Sequence, residues 1–370
     1  MRVLLLSDSD SPHTIRWAKA IQRNGITLGV FSIHKPDFSL YTDSPEISLF
    51  SLYLPKNLQF KGEGKLSKLK YLKSISLLNS VIKSFKPDIL HAHYASSYGL
   101  LGALTRFHPF IISVWGSDVY NFPNHSFLHH ALIKYNLSQA DKILSTSEVM
   151  KLETSKYTNK EIIVTPFGID IDKFYPQKIK NKLNENALII GTVKTLEKKY
   201  GIEYLIKAFR IVRAKIKSKS LKLLIVGKGS QDLYLKSLVD NLELTDDTNF
   251  TGYINHDLIQ DYHNMLDISV FASIEDSESF GVSVLESSAC GKPVIVSNVG
   301  GLPEVVEDGK TGFVVERQNP EAIANVIIRL IENEHLRMEI GNNGRNKVVN
   351  EYNWIDSVKK MISIYHDLKK

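Results

Sequence analysis

A single cysteine, Cys290, stands in the 370 residues, so an internal disulfide framework and a cysteine-based zinc cluster are both excluded. It reads most simply as a small core residue. No apolar run reaches the roughly 20 residues that a membrane-spanning helix needs. The opening Met1-Arg2-Val3-Leu4-Leu5-Leu6-Ser7 is short for a signal peptide and runs at once into Asp8 and Asp10, so the expected location is the cytoplasm. Repeats and low-complexity tracts are missing too. Aromatics make up only 9% and do not interleave with the basic residues, which argues against nucleic acid as a partner.

What is present is an ordinary globular composition, long enough that two domains are expected. The net charge of +6 favours anionic partners. Part of it lies in one stretch, where Lys61, Lys65, Lys68, Lys70, Lys73, Lys83 and Lys86 face only Glu63. Interleaved with Leu66, Leu69, Leu72, Ile75, Leu77 and Leu78, these lysines suggest a basic amphipathic helix able to dock on the inner face of an anionic membrane. A solvated helix face accounts for them equally well.

Apolar strand-like runs alternate with helical stretches through both halves. They fall at 2–7, 26–33, 88–92, 110–114, 142–145 and 162–165, then at 188–193, 222–226, 249–252, 267–271, 294–297 and 312–315. Such alternation predicts two parallel-sheet α/β domains with helices on both faces. The boundary is expected in the proline and glycine segment from Pro166-Phe167-Gly168-Ile169-Asp170 to Pro176. This gives a first domain over 1–168, a second over 169–354, and a terminal helix over 355–370 expected to pack back on the first. Two such domains facing each other leave a cleft.

The most informative motif is Glu278-Ser279-Phe280-Gly281-Val282-Ser283-Val284-Leu285-Glu286. Residues 279–281 read as a loop feeding an apolar helix, which the segment Cys290-Gly291-Lys292-Pro293 ends. Glu278 is then placed before the helix and Glu286 within it. Free N–H groups around Phe280, Gly281 and Val282 would cradle an anionic, hydroxyl-rich ligand between the two carboxylates. Strands on either side put this loop, and the Gly300-Gly301 loop, at strand carboxyl ends, where open α/β sheets bind ligands.

Other candidates fall at the same kind of position. Lys194 and Lys199, in the loop after 188–193, suit a clamp on a diphosphate, with Lys198 solvated. Gly227-Lys228-Gly229 reads better as a turn than as a phosphate loop. Gly252, Tyr253 and Ile254 end a strand where backbone and a ring could receive a flat nucleobase. His91 and His93 close a first-domain strand, and alternation is read as sending them to opposite sides, poor joint metal ligands. His93 is the better placed to point into the cleft.

Taken together these motifs resemble the family 4 retaining glycosyltransferases. The matching features are the loop from Lys194 to Lys199, Gly252 with its neighbours, Glu278 with Glu286, and Gly300-Gly301 with Glu304. The segment Pro166-Phe167-Gly168-Ile169-Asp170 resembles that family's interdomain Pro-Asn-Gly-Val-Asp. The resemblance covers most of 160–320 and implies two facing Rossmann-like domains, the GT-B architecture. By that resemblance Glu286 would hold the ribose of a nucleotide-diphosphate sugar donor, Glu278 the transferred sugar, the backbone at Phe280, Gly281 and Val282 its hydroxyls, and Lys194 and Lys199 the diphosphate. His93 matches a cleft histidine near the transferred sugar, and no metal or other cofactor is required.

Two departures stand out: Lys194 where the family usually has Arg, and Ser7-Asp8-Ser9-Asp10-Ser11 where its first loop is often glycine-rich. Pro12, His13, Arg16, Gly116 and Asp118 are expected to shape the acceptor side, for a glycan or lipid-linked acceptor of the surface-polysaccharide type. The rivals are a nucleotide-sugar epimerase, which would interconvert donor without acceptor, and a catalytically silent nucleotide-sugar-binding partner.

Overall fold

Strands buried on both faces of a sheet read as unbroken apolar runs rather than alternating ones, and Leu4-Leu5-Leu6 and Phe110-Ile111-Ile112 are such runs, all of them buried. A computed structural model describes residues 1–54, 65–179 and 186–369. It divides the chain into two units, one of Met1–Pro166 with Ser357–Lys370 and one of Phe167–Asp356.

The first unit is built on a parallel sheet of β1 (Arg2–Leu6), β2 (Thr27–His34), β3 (Ser48–Leu54), β4 (Ile89–His93), β5 (Phe110–Val114), β6 (Lys142–Ser145) and β7 (Ile162–Val164). Its order is β3-β2-β1-β4-β5-β6-β7. Winding reverses between β1 and β4, which opens a crevice at their carboxyl ends. The second unit repeats the plan with β8 (Leu188–Val193), β9 (Leu221–Val226), β10 (Thr248–Gly252), β11 (Ile268–Phe271), β12 (Val294–Ser297) and β13 (Phe313–Val315). Their order is β10-β9-β8-β11-β12-β13, reversing between β8 and β11.

Each strand-like run of the sequence is a strand. One strand was not expected: β3, an edge strand paired only with β2.

Helices cover both faces of the second sheet. On one face Leu205, Ile206 and Phe209 of helix Ile202–Lys215 and Ile323, Ile327 and Leu330 of helix Pro320–Glu332 bury Ile190 and Leu223. On the other face Ile189, Val193, Leu224 and Val226 pack with Leu266. Neighbouring strand residues thus point into different layers, as the pleat requires.

The last helix, Trp354–Lys369, contributes Tyr365 to the first unit, where its hydroxyl lies 2.7 Å from His91 Nδ1. Lys369 Nζ reaches Asp88 at 3.2 Å in the same unit.

The structure bears on the second half of the basic stretch. Helix Lys65–Phe85 carries Leu78, Val81 and Phe85 into the first unit's core, with Ile75 and Leu77 packed against it. That half of the apolar stripe is occupied by the protein itself, because a helix flanking a parallel sheet must bury one face on it. Residues 61–64 and the side chains of Lys65, Lys68, Lys70 and Lys73 lie outside the described residues. No described helix is long and apolar enough to cross a membrane.

Phe209 is fully buried in the second unit's core. Its truncation in Phe209→Ala should cost about 3–5 kcal/mol through lost transfer energy and a residual cavity. The check is a urea titration; an unshifted midpoint would contradict the packing described.

Candidate active site

The reversal between β8 and β11 sets the loop 194–201 beside the loop 272–281 at the carboxyl edge of the second sheet. Backbone contacts lock the two together, since Ile274 N donates to Lys199 O at 2.8 Å. Gly201 is left-handed at φ +57°, and a Cβ there would lie 2.1 Å from Ala272 O. Only glycine lets the loops approach this closely.

Across this junction Lys194 Nζ donates to Glu278 Oε1 at 3.0 Å, with the two side chains 15% and 10% exposed. Burial pulls the Lys194 ammonium down, but Glu278 and Tyr200 more than offset it, so its pKa is raised and its charge is secure. Tyr200 was not anticipated from sequence. Its ring takes Lys194 Nζ at 4.3 Å from the centroid and Lys199 Nζ at 4.9 Å, so one aromatic ring gathers both ammonium groups.

Helix Val282–Ala289 begins where it was expected, with Gly281 as N-cap at φ 82°, ψ 50°. The helix's own hydrogen bonds begin with Val284 N and Leu285 N donating to Gly281 O at 3.0 and 3.1 Å, so the N–H groups of Val282 and Ser283 precede the helical ladder. Ser283 Oγ pins this helix start to β8 by donating to Val193 O at 2.6 Å. The Phe280 side chain is buried edge-on to Phe167 and Tyr352, at centroid distances of 6.1 and 5.6 Å. It anchors the loop. Behind Glu278, Gly301 N donates to Glu278 O at 2.9 Å. A Cβ on Gly300, at φ +48°, would lie 2.2 Å from that same oxygen.

Glu286 follows about one turn into the helix, its side chain 8% exposed. His256 Nε2 approaches Oε1 and His263 Nε2 approaches Oε2, each at 3.5 Å. These distances exceed a normal charge-assisted hydrogen bond, so the contacts are electrostatic. Burial pushes the Glu286 carboxyl up, yet the two imidazoles outweigh it and bring the pKa down to about 2. Sequence reading missed both histidines, which stand among Asn255, Asp257, Gln260, Asp261 and Asn264 in a mostly polar segment that gives no sign of a buried imidazole.

At the end of β10, Gly252 is left-handed at φ 70° and its carbonyl accepts from Gly227 N at 3.1 Å. Tyr253 is 75% exposed, while Ile254 packs against Val193 and Val226. The segment Gly227-Lys228-Gly229 is a close-packed turn, for a Cβ on Gly227 would lie 2.0 Å from Lys194 O. Its glycines let it press against the Lys194 loop.

In the first unit His91 and His93 do not diverge. They lie two positions apart on β4, and because strand alternation has a period of two they share a face; their rings meet at 4.9 Å between centroids. His91 is fully buried between Tyr365 OH and Ser113 Oγ, at 2.7 and 2.8 Å. His93 Nδ1 lies 3.0 Å from Ser7 Oγ, which lies 2.6 Å from Thr14 Oγ1, and its ring stacks on Trp115 at 4.4 Å. Burial drives both imidazoles down, His91 to about 3 and His93 well below its ordinary range, so both are neutral at physiological pH.

Pro12 opens helix Pro12–Arg23 after β1, with His13 edge-on to Trp115 at 5.9 Å and Arg16 one turn on. Asp118 is only 1% exposed, and its carboxylate accepts from the backbone N–H groups of Ala95, Trp115 and Gly116 at 2.7, 3.1 and 2.8 Å. It braces the turn at Gly116. Among the described residues no group of three or more His, Cys, Asp or Glu is placed to hold a metal ion.

The glycine wall behind Glu278 is testable against an internal control. Gly309 is also left-handed, at φ +71°, but a Cβ there meets nothing within 4 Å. Gly309→Ala should lose about 1 kcal/mol from backbone strain alone. Gly300→Ala should lose about 2–4 kcal/mol, strain plus overpacking. Equal losses in urea unfolding would remove the wall from the account.

Comparison with known proteins bears on the family and the fold. Residues 2–147 match a family model described as glycosyl transferase 4-like, and residues 175–347 match glycosyl transferases group 1. An uncharacterized glycosyltransferase of Methanocaldococcus jannaschii is 28% identical over 361 residues, covering 93% of this chain and 95% of the relative. The capsular polysaccharide biosynthesis glycosyltransferase CapM of Staphylococcus aureus is 34% identical over 245 residues, covering 66% of this chain and 60% of the relative. Among solved structures, Anabaena HepE in complex with UDP and glucose superposes with a TM-score of 0.79 at 19% identity, with all of both chains covered, which shows a shared fold. The chain belongs to the glycosyltransferases of the group 1 and 4-like type, with the two parallel-sheet Rossmann-like domains of the GT-B architecture.

Proposed function

We propose that this glycosyltransferase is a retaining enzyme of family 4 that moves a hexose-like sugar, without a metal, from a nucleotide-diphosphate sugar to a hydroxyl of a glycan or lipid-linked acceptor. The observation that carries the reading is the buried Lys194–Glu278 pair beside the start of helix Val282–Ala289, with Lys199 sharing the ring of Tyr200. Glu278 is assigned to the transferred sugar, Glu286 to the donor ribose, and the backbone at Phe280, Gly281 and Val282 to sugar hydroxyls. Lys194 and Lys199 are assigned to the diphosphate, and Gly252, Tyr253 and Ile254 to the base.

In this reading the anomeric carbon–oxygen bond breaks as the diphosphate leaves. Cations and a helix N-terminus held in place beforehand stabilise its growing charge most at that moment. The acceptor oxygen attacks from the same face, and its proton passes to the departing phosphate oxygen. Glu278 is paired with Lys194, which suits a carboxylate that orients sugar and holds charge better than one that donates a proton. His93, neutral and stacked on Trp115, is assigned to the transferred sugar as a hydrogen-bonding group. Names among the relatives, such as capsular polysaccharide biosynthesis, support a surface-glycan acceptor. The lysines between 61 and 73 are assigned to an anionic membrane at the cytoplasmic face, where a lipid-linked acceptor would lie.

A thermal-shift panel of nucleotide sugars should single out one donor, because a ligand that binds only the native state raises stability by mass action. With that donor, Glu286→Ala and Lys199→Ala should each lower kcat/KM roughly hundredfold while the fold stays intact; wild-type rates in both would refute the site. His93→Ala should slow turnover more than it weakens nucleotide affinity. Equal losses would leave it a packing residue.

A further inference from the structure

The side chain that holds Glu286 is not accounted for by the proposed reaction. His263, on helix Ile259–Met265, is fully buried, and neither ring nitrogen makes a hydrogen bond among the described residues. A buried imidazole left this way is costly unless another interaction compensates it. The compensation on view is Glu286, whose Oε2 lies 3.5 Å from His263 Nε2.

The opposite oxygen has a different neighbour. Oε1 faces His256 Nε2 at 3.5 Å, and the His256 side chain is 58% exposed. His256 is held from outside by Lys173, whose Nζ lies 3.3 Å from Nδ1 and donates to His256 O at 3.0 Å. The Phe174 ring stands edge-on to both imidazoles, at 6.0 Å from His263 and 6.2 Å from His256. One oxygen of Glu286 therefore points at a locked interior partner and the other at a partner that solvent can replace.

We propose that His263 is a positioning residue that holds the inner oxygen of Glu286, leaving the outer oxygen, once His256 gives way, to accept the hydroxyls of the donor ribose. This rests on the assignment of Glu286 to ribose. A glutamate has three side-chain torsions to order before a diol can bind it, and an interior partner that orders one oxygen lowers that cost in every binding event. The ligand chemistry is a nucleoside diphosphate with both ribose hydroxyls, and a 2′-deoxy analogue loses the contact that the oriented carboxylate provides.

The test uses the full chain and the donor selected in the thermal-shift panel, with UDP, GDP and ADP and their 2′-deoxy forms as competing probes. His263→Phe keeps the volume and removes both nitrogens. It should raise donor KM about tenfold, the loss expected for one interaction to a charged group. Turnover at saturating donor should stay within about twofold, because the contact is made equally in ground and transition states. The ribose over 2′-deoxyribose preference should shrink. His263→Gln, which can still place an N–H near Oε2, should restore most of the donor KM. If circular dichroism shows His263→Phe unfolded, His263→Asn carries the same expectation as a polar variant too short to reach Glu286. An unchanged donor KM in a folded variant overturns the inference, as does a fall in turnover that glutamine does not rescue. Glu286→Gln separates the two levels. If it leaves donor KM unchanged, the ribose assignment itself falls; if it raises donor KM while His263→Phe does not, only the role of His263 falls.

Discussion

A lysine and a glutamate 3.0 Å apart, both mostly buried, tie the loop after β8 to the loop after β11. Each would be expensive alone in that position, since removing one partner of a buried pair leaves the other charge uncompensated. The surroundings are organised by that constraint. Gly201 lets the two loops touch, Gly300 and Gly301 let a third loop back up the Glu278 carbonyl, and Gly227 lets a fourth press on Lys194 O. Four loops from different strands thus converge on one ion pair with almost no side-chain volume between their backbones. Backbones packed this closely leave the pair little room to shift, because a displaced loop would clash with its neighbour.

The two units differ in how they manage buried ionisable groups. In the second, two buried carboxylates meet cations or imidazoles, Glu278 beside Lys194 and Glu286 between His256 and His263, and the Glu286 carboxyl is held down by its imidazoles. In the first, the imidazoles of His91 and His93 meet hydroxyls, each other and Trp115, and burial keeps them neutral. Paired charge is thereby gathered at the carboxyl edge of the second sheet, while the two first-unit imidazoles make hydrogen bonds and aromatic contacts.

The architecture was legible because parallel strands buried on both faces leave long apolar runs, and glycine-rich loops mark their carboxyl ends. The edge strand Ser48–Leu54 escaped notice because it pairs on one side only and is only partly buried, so its pattern is weaker. The placing of Glu278 and Glu286 on either side of a helix start was legible through their spacing, and that of Lys194 and Lys199 through the loop that follows a strand. His256, His263 and Tyr200 were not, since each meets its charged partner only through the packing of separate elements. The geometry of His91 and His93 was within reach of the sequence: two residues apart on a strand means one face, and reading them as opposed misapplied the period.

The sequence by itself determined two doubly wound sheets, the loops that bear charge, and the helix that starts between the two glutamates. These follow from local rules: apolar periodicity, glycine where backbone must turn left-handed, and free N–H groups at a helix start. Only the tertiary structure decided which charges pair. It gave Lys194 rather than Lys199 to Glu278, set His263 beneath Glu286, withdrew Asp118 into backbone hydrogen bonds, and sent Tyr365 to His91 across 274 residues of chain. Pairing energy depends on distance and burial, and for residues far apart in sequence both are set by how the sheets and helices pack.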